Sequence, residues 1–569
     1  MKKTYIYILI IGGVLLLLNY MAFRYKIIDH LFVTFKVNSF TANISDPILA
    51  EVSLQSETPS RKIDSFPHFT LKLYDNEDWN IKKEALSQIS EHIPVMITVE
   101  TWARKKYSYN KNPLTDVVNG KYDKILRKMC SILIGERLNV YIRFNPEMEV
   151  PVRLYPWQRV GRYTEAFQHF SVLCKTYAPQ AKIVWGPASY PGAMEYYPGN
   201  EFVDAATVTL KSDSEMRLNV YPNNYSIHYD VMRRIHRLRF IDKPIFVLGS
   251  NQFANDSVND KLLDDLAKHI HQNRDIIYST DNFQRFKLDT ENNQQGNIEI
   301  GLYDPQSKLN KEKPVTVEHL FADFTNLNNG SFQDSFNRVV KRGHDIIVTF
   351  EPFRNVNGET DLNVLQQITN GKYDQEISYL YSIIAATNKK VYLRYAHEME
   401  IPITRYPWQS QNPVDYIKSF RYFMSFQKPL LSNIKRVWGP AGDRGSIEWW
   451  PGNDVVDYIS IAIYGLPDKN ITDPKKQETF ATIFKRKYRR MRFINKPIFI
   501  TEFGVKGPEE FQTKWLEDAA KVIRKHKQII GVNYFNMSDT PKAWGDIKPP
   551  DWSISKESFY RFIEVLEKE

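Results

Sequence analysis

The sequence predicts an α/β protein in which two tandem (β/α)8 TIM barrels follow an N-terminal transmembrane helix. Three observations lead to this fold class: an apolar run near the N-terminus, a long pattern that occurs twice, and short apolar runs that alternate with helical patterns. The chain has 569 residues, of which 42% are hydrophobic and 25% charged. This length exceeds one ordinary domain, and the composition excludes disorder or a coiled coil as a description of the whole chain.

The apolar run extends from about Tyr5 to Phe23 and is flanked by Lys2, Lys3 and Arg24. At a rise of about 1.5 Å per residue, it nearly spans a hydrocarbon core of roughly 30 Å. The residues that follow do not form a small-residue cleavage site, so we expect an uncleaved anchor, with residues 1–37 as anchor and flank. Charges flank both ends and do not set the orientation. We expect a single-pass membrane protein with a periplasmic or extracellular body.

The repeated pattern is carried by five segments in the same order. VYIRFNPEMEVPVRLYPWQ at Val140 returns as VYLRYAHEMEIPITRYPWQ at Val391, and NGKYD, VWGPA, YYPGN/WWPGN and RFIDKPIF/RFINKPIF return at offsets of 251 to 253 residues. A period this long exceeds the 20–50 residues of a solenoid unit, so each copy is a whole domain. We place the first barrel at 60–288 and the second at 297–569, on either side of a polar boundary segment.

In the second copy, apolar β-rich runs alternate with helical patterns such as Asp374–Thr387 and Pro413–Phe426. The predicted strands are Ile298–Asp304, His319–Phe324, Asp345–Phe353, Val391–Glu398, Ile434–Gly439, Val456–Tyr464, Pro497–Phe503 and Ile529–Asn536. Eight strands with intervening helices predict a parallel barrel. No strand is followed by the glycine-rich phosphate loop of a doubly wound sheet. The first copy repeats the pattern from about Phe69 to Ser279.

Two glutamates directly follow apolar runs at the ends of predicted strands four and seven: Glu398 and Glu502. Functional groups of such barrels lie at the carboxyl ends of the strands. Two carboxyl groups about 5–5.5 Å apart are what retaining glycoside hydrolysis requires, one to protonate the leaving oxygen and one to attack the anomeric carbon. The acid needs a raised pKa, from burial or from the other carboxylate.

The segment YLRYAHEME resembles the R-x-x-H-E segment of glycoside hydrolase family 26, the clan A family of β-mannanases and related endoglucanases and xylanases. ITEFG, from Ile500 to Gly504, is similar to the family's nucleophile segment, and VTFEP resembles the end of its third strand. The resemblance covers the second copy and, more weakly, the first. It implies that Glu398 is the acid/base, that Glu502 is the nucleophile, and that Tyr464 orients Glu502.

Seven residues at strand ends or with flat ring faces are candidate substrate-binding groups. They are His397, Arg394, Tyr464, Trp438, Glu351, Trp408 and Trp449. Other roles stay open: Arg394 and Glu351 could form a structural ion pair, and the tryptophans could pack in the core. Glu400 departs from the family pattern and could contact substrate or pair with Arg405. The mechanism demands no metal, and no cofactor is expected.

The first copy lacks the nucleophile. Arg394 and Glu398 match Arg143 and Glu147, and Trp408 matches Trp157. His397, Tyr464 and Glu502, however, fall on Pro146, Lys211 and Gly249. We therefore expect the first barrel to be inert. It would either pack against the second barrel or grip polysaccharide.

The expected function is that of a membrane-anchored retaining endo-glycoside hydrolase acting on a β-linked polysaccharide of the mannan or glucan type. The alternatives are a non-catalytic polysaccharide-binding or scaffold protein of an export system, or transglycosylation by the same glutamates. The net charge of +10 fits an anionic partner or a solvated basic surface, and no nucleic-acid motif is present. Cys130 and Cys174 are either bridged or two buried thiols. The oligomeric state is not predicted.

Overall fold

The computed structural model describes thirteen ranges of the chain. They are 46–63, 66–73, 93–101, 112–134, 139–150, 160–210, 227–249, 256–278, 298–353, 361–402, 406–465, 478–539 and 548–568. The predicted anchor lies outside them. Within these ranges, no helix is long and apolar enough to cross a membrane.

The first unit contains an eight-stranded sheet that begins at Ile48, ahead of the predicted boundary at residue 60. Its strands are β1 (Ile48–Val52), β2 (Ser60–Lys62), β3 (His68–Lys72), β4 (Val95–Glu100), β5 (Val140–Phe144), β6 (Lys182–Trp185), β7 (Ala205–Leu210) and β8 (Ile245–Gly249). The strands from β3 to β8 are parallel neighbours, whereas β1 runs antiparallel to both β8 and β2.

The prediction of a barrel in the first unit is therefore confirmed only in part. Its six parallel strands match strands two to seven of the second unit, and the β1–β2 hairpin occupies the edge where an eighth parallel strand would pair. In the described residues, no ladder joins β2 to β3, so the sheet stays open as a half-barrel. Side-chain alternation indicates a strand but carries no information on its direction, so the sequence pattern could not reveal the hairpin.

Helices cover the first sheet. They are α1 (Pro113–Val118), α2 (Asp123–Ile134), α3 (Val160–Tyr177), α4 (Ile227–Arg237) and α5 (Asp256–Gln272), with 3₁₀ helices at Ala193–Tyr196 and Asn200–Phe202 and a π-helical turn at Arg274–Tyr278. In α3, the residues Ala166, Phe167, Phe170 and Cys174 are buried. Their spacing of three and four residues gives one apolar stripe, which faces the core.

The second unit is a closed barrel of eight parallel strands, as predicted. The strands are β9 (Glu299–Tyr303), β10 (Val317–Asp323), β11 (Asp345–Glu351), β12 (Val391–Tyr395), β13 (Ile434–Trp438), β14 (Tyr458–Ile459) with β15 (Ala462–Gly465), β16 (Ile498–Val505) and β17 (Ile529–Phe535). The sixth strand is formed by the two pieces β14 and β15, and β17 pairs with β9 to close the barrel. Strands β12 and β16 are buried along their whole length, which explains their continuous apolar sequences.

Among the described residues, α-helices follow every strand of the barrel except β9 and β13. The helices are α6 (Phe324–Asn328), α7 (Ser331–Arg342), α8 (Val364–Thr369), α9 (Asp374–Ala385), α10 (Pro413–Met424), α11 (Phe480–Met491), α12 (Glu509–Lys525) and α13 (Lys556–Glu567), with 3₁₀ helices at Ser446–Trp449 and Asn453–Val455. Side chains of Asn412, Thr479 and Ser555 cap α10, α11 and α13. This alternation directs the carboxyl ends of all eight strands to one mouth of the barrel.

The two units contact each other through Glu448, which is 1% exposed and belongs to the second unit. Arg233 Nε of α4 donates to one carboxylate oxygen at 2.8 Å, and Arg237 Nε donates to the other at 3.0 Å. Burial alone would raise the pKa of Glu448, but the two guanidinium groups hold it below its ordinary value. The first unit therefore neutralises a charge buried in the second.

Related contacts occur with the units exchanged. Arg239 donates to the carbonyls of Ile447 and Trp450 at 3.4 and 2.9 Å. Arg492, its counterpart in the repeat, donates to the carbonyls of Met194 and Glu195 at 2.9 and 3.0 Å. An interface in which equivalent surfaces bind each other in this reciprocal way is isologous, as in a two-fold dimer. The units pack as a pseudo-symmetric pair within one chain.

Replacing Arg237 by alanine leaves the buried Glu448 carboxylate with one cation, and we expect a loss of about 3 kcal/mol in the free energy of unfolding. The matched control is Arg490→Ala, because Arg490 is the counterpart of Arg237. Its Nε lies 3.3 Å from Oε1 of Glu195, which is 15% exposed, without hydrogen-bond geometry. That loss should be about 1 kcal/mol. Chemical unfolding measures both variants, and equal losses would contradict the dominance of the Glu448 contact.

Candidate active site

A tight turn after β12 presents Glu398 at the mouth of the second barrel. Ala396 and Glu398 have positive φ angles of 43° and 52°, which cost non-glycine residues about 1–3 kcal/mol each. The Ala396 amide donates to the carbonyl of Phe350 at 2.9 Å, and the Glu398 amide donates to that of Gly439 at 2.8 Å. The turn is thus tied to the neighbouring strands on both sides. The Glu398 side chain stays partly exposed and can reach a substrate.

Glu502 lies within β16 and is 6% exposed. Arg394 Nη1 donates to its Oε1, and the Tyr464 hydroxyl donates to its Oε2 at 3.0 Å. Hydrogen bonds to the ionised form stabilise a carboxylate and fix its orientation. The structure therefore brings together Glu502 and the two residues predicted to support it.

Glu398 has a different electrostatic environment. Burial and the negative charge of Glu502 raise the pKa of Glu398 to about 8, while Arg394 opposes the shift. Glu398 is therefore protonated at neutral pH. Burial and the charge of Glu502 also keep the pKa of Tyr464 well above its ordinary value, so Tyr464 remains a donor. Two carboxyl groups near one arginine are thus suited to different roles.

His397 and Glu351 lie beside this pair. His397 Nδ1 is 3.9 Å from Glu351 Oε1, and both residues are buried. The Trp408 indole N–H donates to the backbone carbonyl of His397 at 2.8 Å and holds this end of the turn. Arg394, left open as a structural partner of Glu351, instead forms its ion pair with Glu502.

Glu400 has a structural role. It is 6% exposed, and one carboxylate oxygen accepts the amides of Gly442 and Asp443 at 2.9 and 3.0 Å and the hydroxyl of Ser446 at 2.7 Å. These bonds secure the loop that follows β13, so Glu400 is not displayed as a substrate contact. Arg405, the other predicted partner, lies outside the described residues.

The three tryptophans predicted to bind sugar are buried. Trp408 and Trp438 are 0% exposed, and Trp449 is 4% exposed. Trp408 stacks on Tyr406 with 4.5 Å between ring centres, and Trp449 lies under the guanidinium group of Arg233 from the first unit. Packing is therefore the role that the structure shows for all three, and the expected sugar platforms have no open ring face here.

Half-buried aromatic rings that the sequence analysis missed line the mouth instead. Tyr303 lies 5.1 Å from Phe321 and 4.7 Å from Phe535 between ring centres. Phe321 continues this arc to His397 and Phe535 continues it to Tyr464, at 6.0 and 6.2 Å. Such rings provide flat apolar surfaces beside the two glutamates. Their position in the sequence could have predicted this role, because Tyr303 and Phe535 are the last residues of their strands.

The first unit keeps the turn of the candidate site. Glu147 has a φ of 60°, and its amide donates to the carbonyl of Gly186 at 2.7 Å, as Glu398 does to Gly439. Glu147 is 8% exposed. Trp157 and Lys211, the other matched positions, lie outside the described residues.

Among the described residues of the first copy, no carboxylate stands in the place of Glu502. Gly249 ends β8 where Glu502 stands in β16. Arg143 instead donates to the hydroxyls of Thr207 and Thr209 at 3.0 and 3.1 Å. Two neutral hydroxyls thus satisfy the arginine that a carboxylate binds in the second unit.

The chain is similar to known carbohydrate-active enzymes over part of its length. The chain is 30% identical over 166 residues to a β-1,3-xylanase of Vibrio sp (28% of this chain, 31% of the relative). It is 26% identical over 243 residues to endoglucanase H of Acetivibrio thermocellus (40% of this chain, 25% of the relative). The chain is similar to clan A glycoside hydrolases. The alignments span between a quarter and about a third of the length of these relatives.

Two solved structures of family 26 glycoside hydrolases are also similar to the chain. A GH26 β-mannanase from Bacteroides ovatus matches with a TM-score of 0.36 and 14% identity, over 48% of this chain and 89% of that protein. GH26C from Muricauda sp. matches with a TM-score of 0.36 and 16% identity, over 48% and 86%. No family model matches the chain.

Proposed function

We propose that the second barrel is a retaining endo-glycoside hydrolase that cleaves a β-linked polysaccharide of the mannan or glucan type. The observation that carries the proposal is the contrast between Glu398, whose pKa is about 8, and Glu502, whose two oxygens accept bonds from Arg394 and Tyr464. The names of the similar proteins, a xylanase, an endoglucanase and a mannanase, support the substrate class.

The two glutamates would act in two steps. Glu398 donates its proton to the glycosidic oxygen while Glu502 attacks the anomeric carbon, so the leaving chain departs as an alcohol and a glycosyl-enzyme forms. Glu398, now a carboxylate, then takes a proton from water, whose oxygen displaces Glu502 from the sugar. Arg394 and Tyr464 hold Glu502 in line for attack, and the aromatic arc from His397 to Tyr464 supports the sugar rings.

We infer that the first unit is not catalytic. Gly249 supplies no nucleophile, and the Arg143 guanidinium is bonded to threonine hydroxyls. The buried contact of Glu448 with Arg233 and Arg237 supports the packing role over a polysaccharide-gripping role.

The variant Glu502→Ala tests the nucleophile. Glu502→Ala should lower reducing-sugar release from a panel of β-mannans, β-glucans and β-xylans by about 10³-fold or more, because the glycosyl-enzyme cannot form. Gly249→Ala changes the equivalent position of the first unit and should retain activity. Proton NMR of the first product should show the β-anomer if configuration is retained.

Reducing-sugar release that persists in Glu502→Ala would show that Glu502 is not the nucleophile. An α-anomer as first product would replace retention by inversion. No release from any polymer, with polymer binding retained in gel-shift assays, would favour the non-catalytic scaffold.

The pH dependence of activity tests the proposed acid. Because the acid must be protonated, activity should fall as pH rises through the Glu398 pKa of about 8. Glu400 contributes to raising this pKa through its negative charge, so Glu400→Gln should move the basic limb of the kcat/KM profile to lower pH. Glu149→Gln, the equivalent change in the first unit, should leave the limb in place. If Glu400→Gln left the basic limb of the kcat/KM profile unchanged, the electrostatic coupling between Glu400 and Glu398 would be contradicted.

We also propose that the apolar run from about Tyr5 to Phe23 anchors the protein, with both units on the outer side of a bacterial inner membrane, where the enzyme would trim an exported polysaccharide. Protease added to spheroplasts should degrade the body while a cytoplasmic marker survives. Protection of the body equal to that of the marker would contradict this location.

A further inference from the structure

The only two cysteines of the chain meet in the core of the first unit. Cys130 lies on α2 and Cys174 on α3, and both are 0% exposed. Their Sγ atoms are 3.4 Å apart, within hydrogen-bond distance for thiols. The chain has only two cysteines among 569 residues, so composition alone does not bring them together. Their contact therefore calls for a physical explanation.

The second unit links the same two helices differently. Tyr381 is the repeat counterpart of Cys130, and its hydroxyl donates to the backbone carbonyl of Phe423 at 2.8 Å, which joins α9 to α10. The Tyr381 ring also lies 5.9 Å from Phe426. In the first unit, the two thiols lie between α2 and α3. In the second unit, the tyrosine contact lies between the equivalent helices α9 and α10. A covalent link would supply the equivalent connection.

We propose that Cys130 and Cys174 form an intramolecular disulfide that joins α2 to α3 when the chain meets a disulfide oxidant. The sulfur atoms need to close from 3.4 Å to about 2.05 Å. Both thiols lie on helices, belong to one apolar core and are already in contact. The proposal does not depend on the catalytic function of the second unit.

The reaction is thiol–disulfide exchange. The Cys130 thiolate attacks a sulfur of the oxidant, such as glutathione disulfide, and expels one glutathione thiolate to give a mixed disulfide. The Cys174 thiolate then attacks Sγ of Cys130 and expels the second glutathione. The protein loses two protons and two electrons, and the oxidant is reduced to two thiols. The contact with Cys174 lowers the pKa of Cys130, which favours Cys130 as the attacking thiolate.

The test counts free thiols in the full chain before and after oxidation with glutathione disulfide. Samples are denatured, treated with N-ethylmaleimide and weighed by mass spectrometry. The reduced chain should carry two maleimide adducts and the oxidised chain none, with the loss of two hydrogens and no attached glutathione. Because both thiols are buried, the same oxidation is repeated on chain refolded from urea in a glutathione redox buffer.

The oxidised chain should also unfold at a temperature several degrees higher than the reduced chain, because the cross-link restricts the unfolded state. Cys174→Ala is the control: it should retain one reactive thiol and show no such shift on oxidation. Two maleimide adducts in both arms, glutathione on each cysteine, or disulfide-linked dimers on a non-reducing gel would each overturn the proposal.

Discussion

The ion pair between Arg394 and Glu502 is the interaction on which the candidate site depends. Arg394 is 0% exposed, and its charge lies close to both Glu502 and Glu398. Removing this cation would leave the buried Glu502 carboxylate uncompensated, which is costly in a low-dielectric interior. A Cβ at Gly439 would overlap the Arg394 side chain, and a Cβ at Gly186 would overlap Arg143 in the same way. The repeated VWGPA segment thus contains a glycine because an arginine lies against it.

Buried arginines also explain part of the net positive charge. Four arginines in or just after α4 are at most 5% exposed: Arg233, Arg234, Arg237 and Arg239. They bind Glu448, backbone carbonyls and Asp230 rather than solvent. The composition offered two readings of the charge, an anionic partner or a solvated basic surface. These four side chains fit neither interpretation, because they are buried. Whole-chain composition could not show this, since it does not distinguish an internal interface from a surface.

The sequence predicted features that depend on local pattern and missed those that depend on distant neighbours. All eight strands of the second barrel were predictable because short apolar-rich runs alternate with helical patterns, and Glu398 and Glu502 followed from their places at the ends of predicted strands. The packing role of Trp449 was not predictable, because its partner Arg233 lies far away in the chain and covers the ring only after the units pack. Strand β1 was missed for a related reason, since its antiparallel direction is set by pairing with β8.

The two copies also show which local feature distinguishes the candidate site from its counterpart in the first unit. A strained turn is often associated with function, yet Glu147 keeps a φ of 60° in the copy that has no nucleophile. The amide of Glu147 still donates to the carbonyl of Gly186, so the turn persists because it ties β5 to the residue after β6. Backbone strain is therefore common to both units. What differs is the partner of the arginine, the Glu502 carboxylate in the second unit and two threonine hydroxyls in the first.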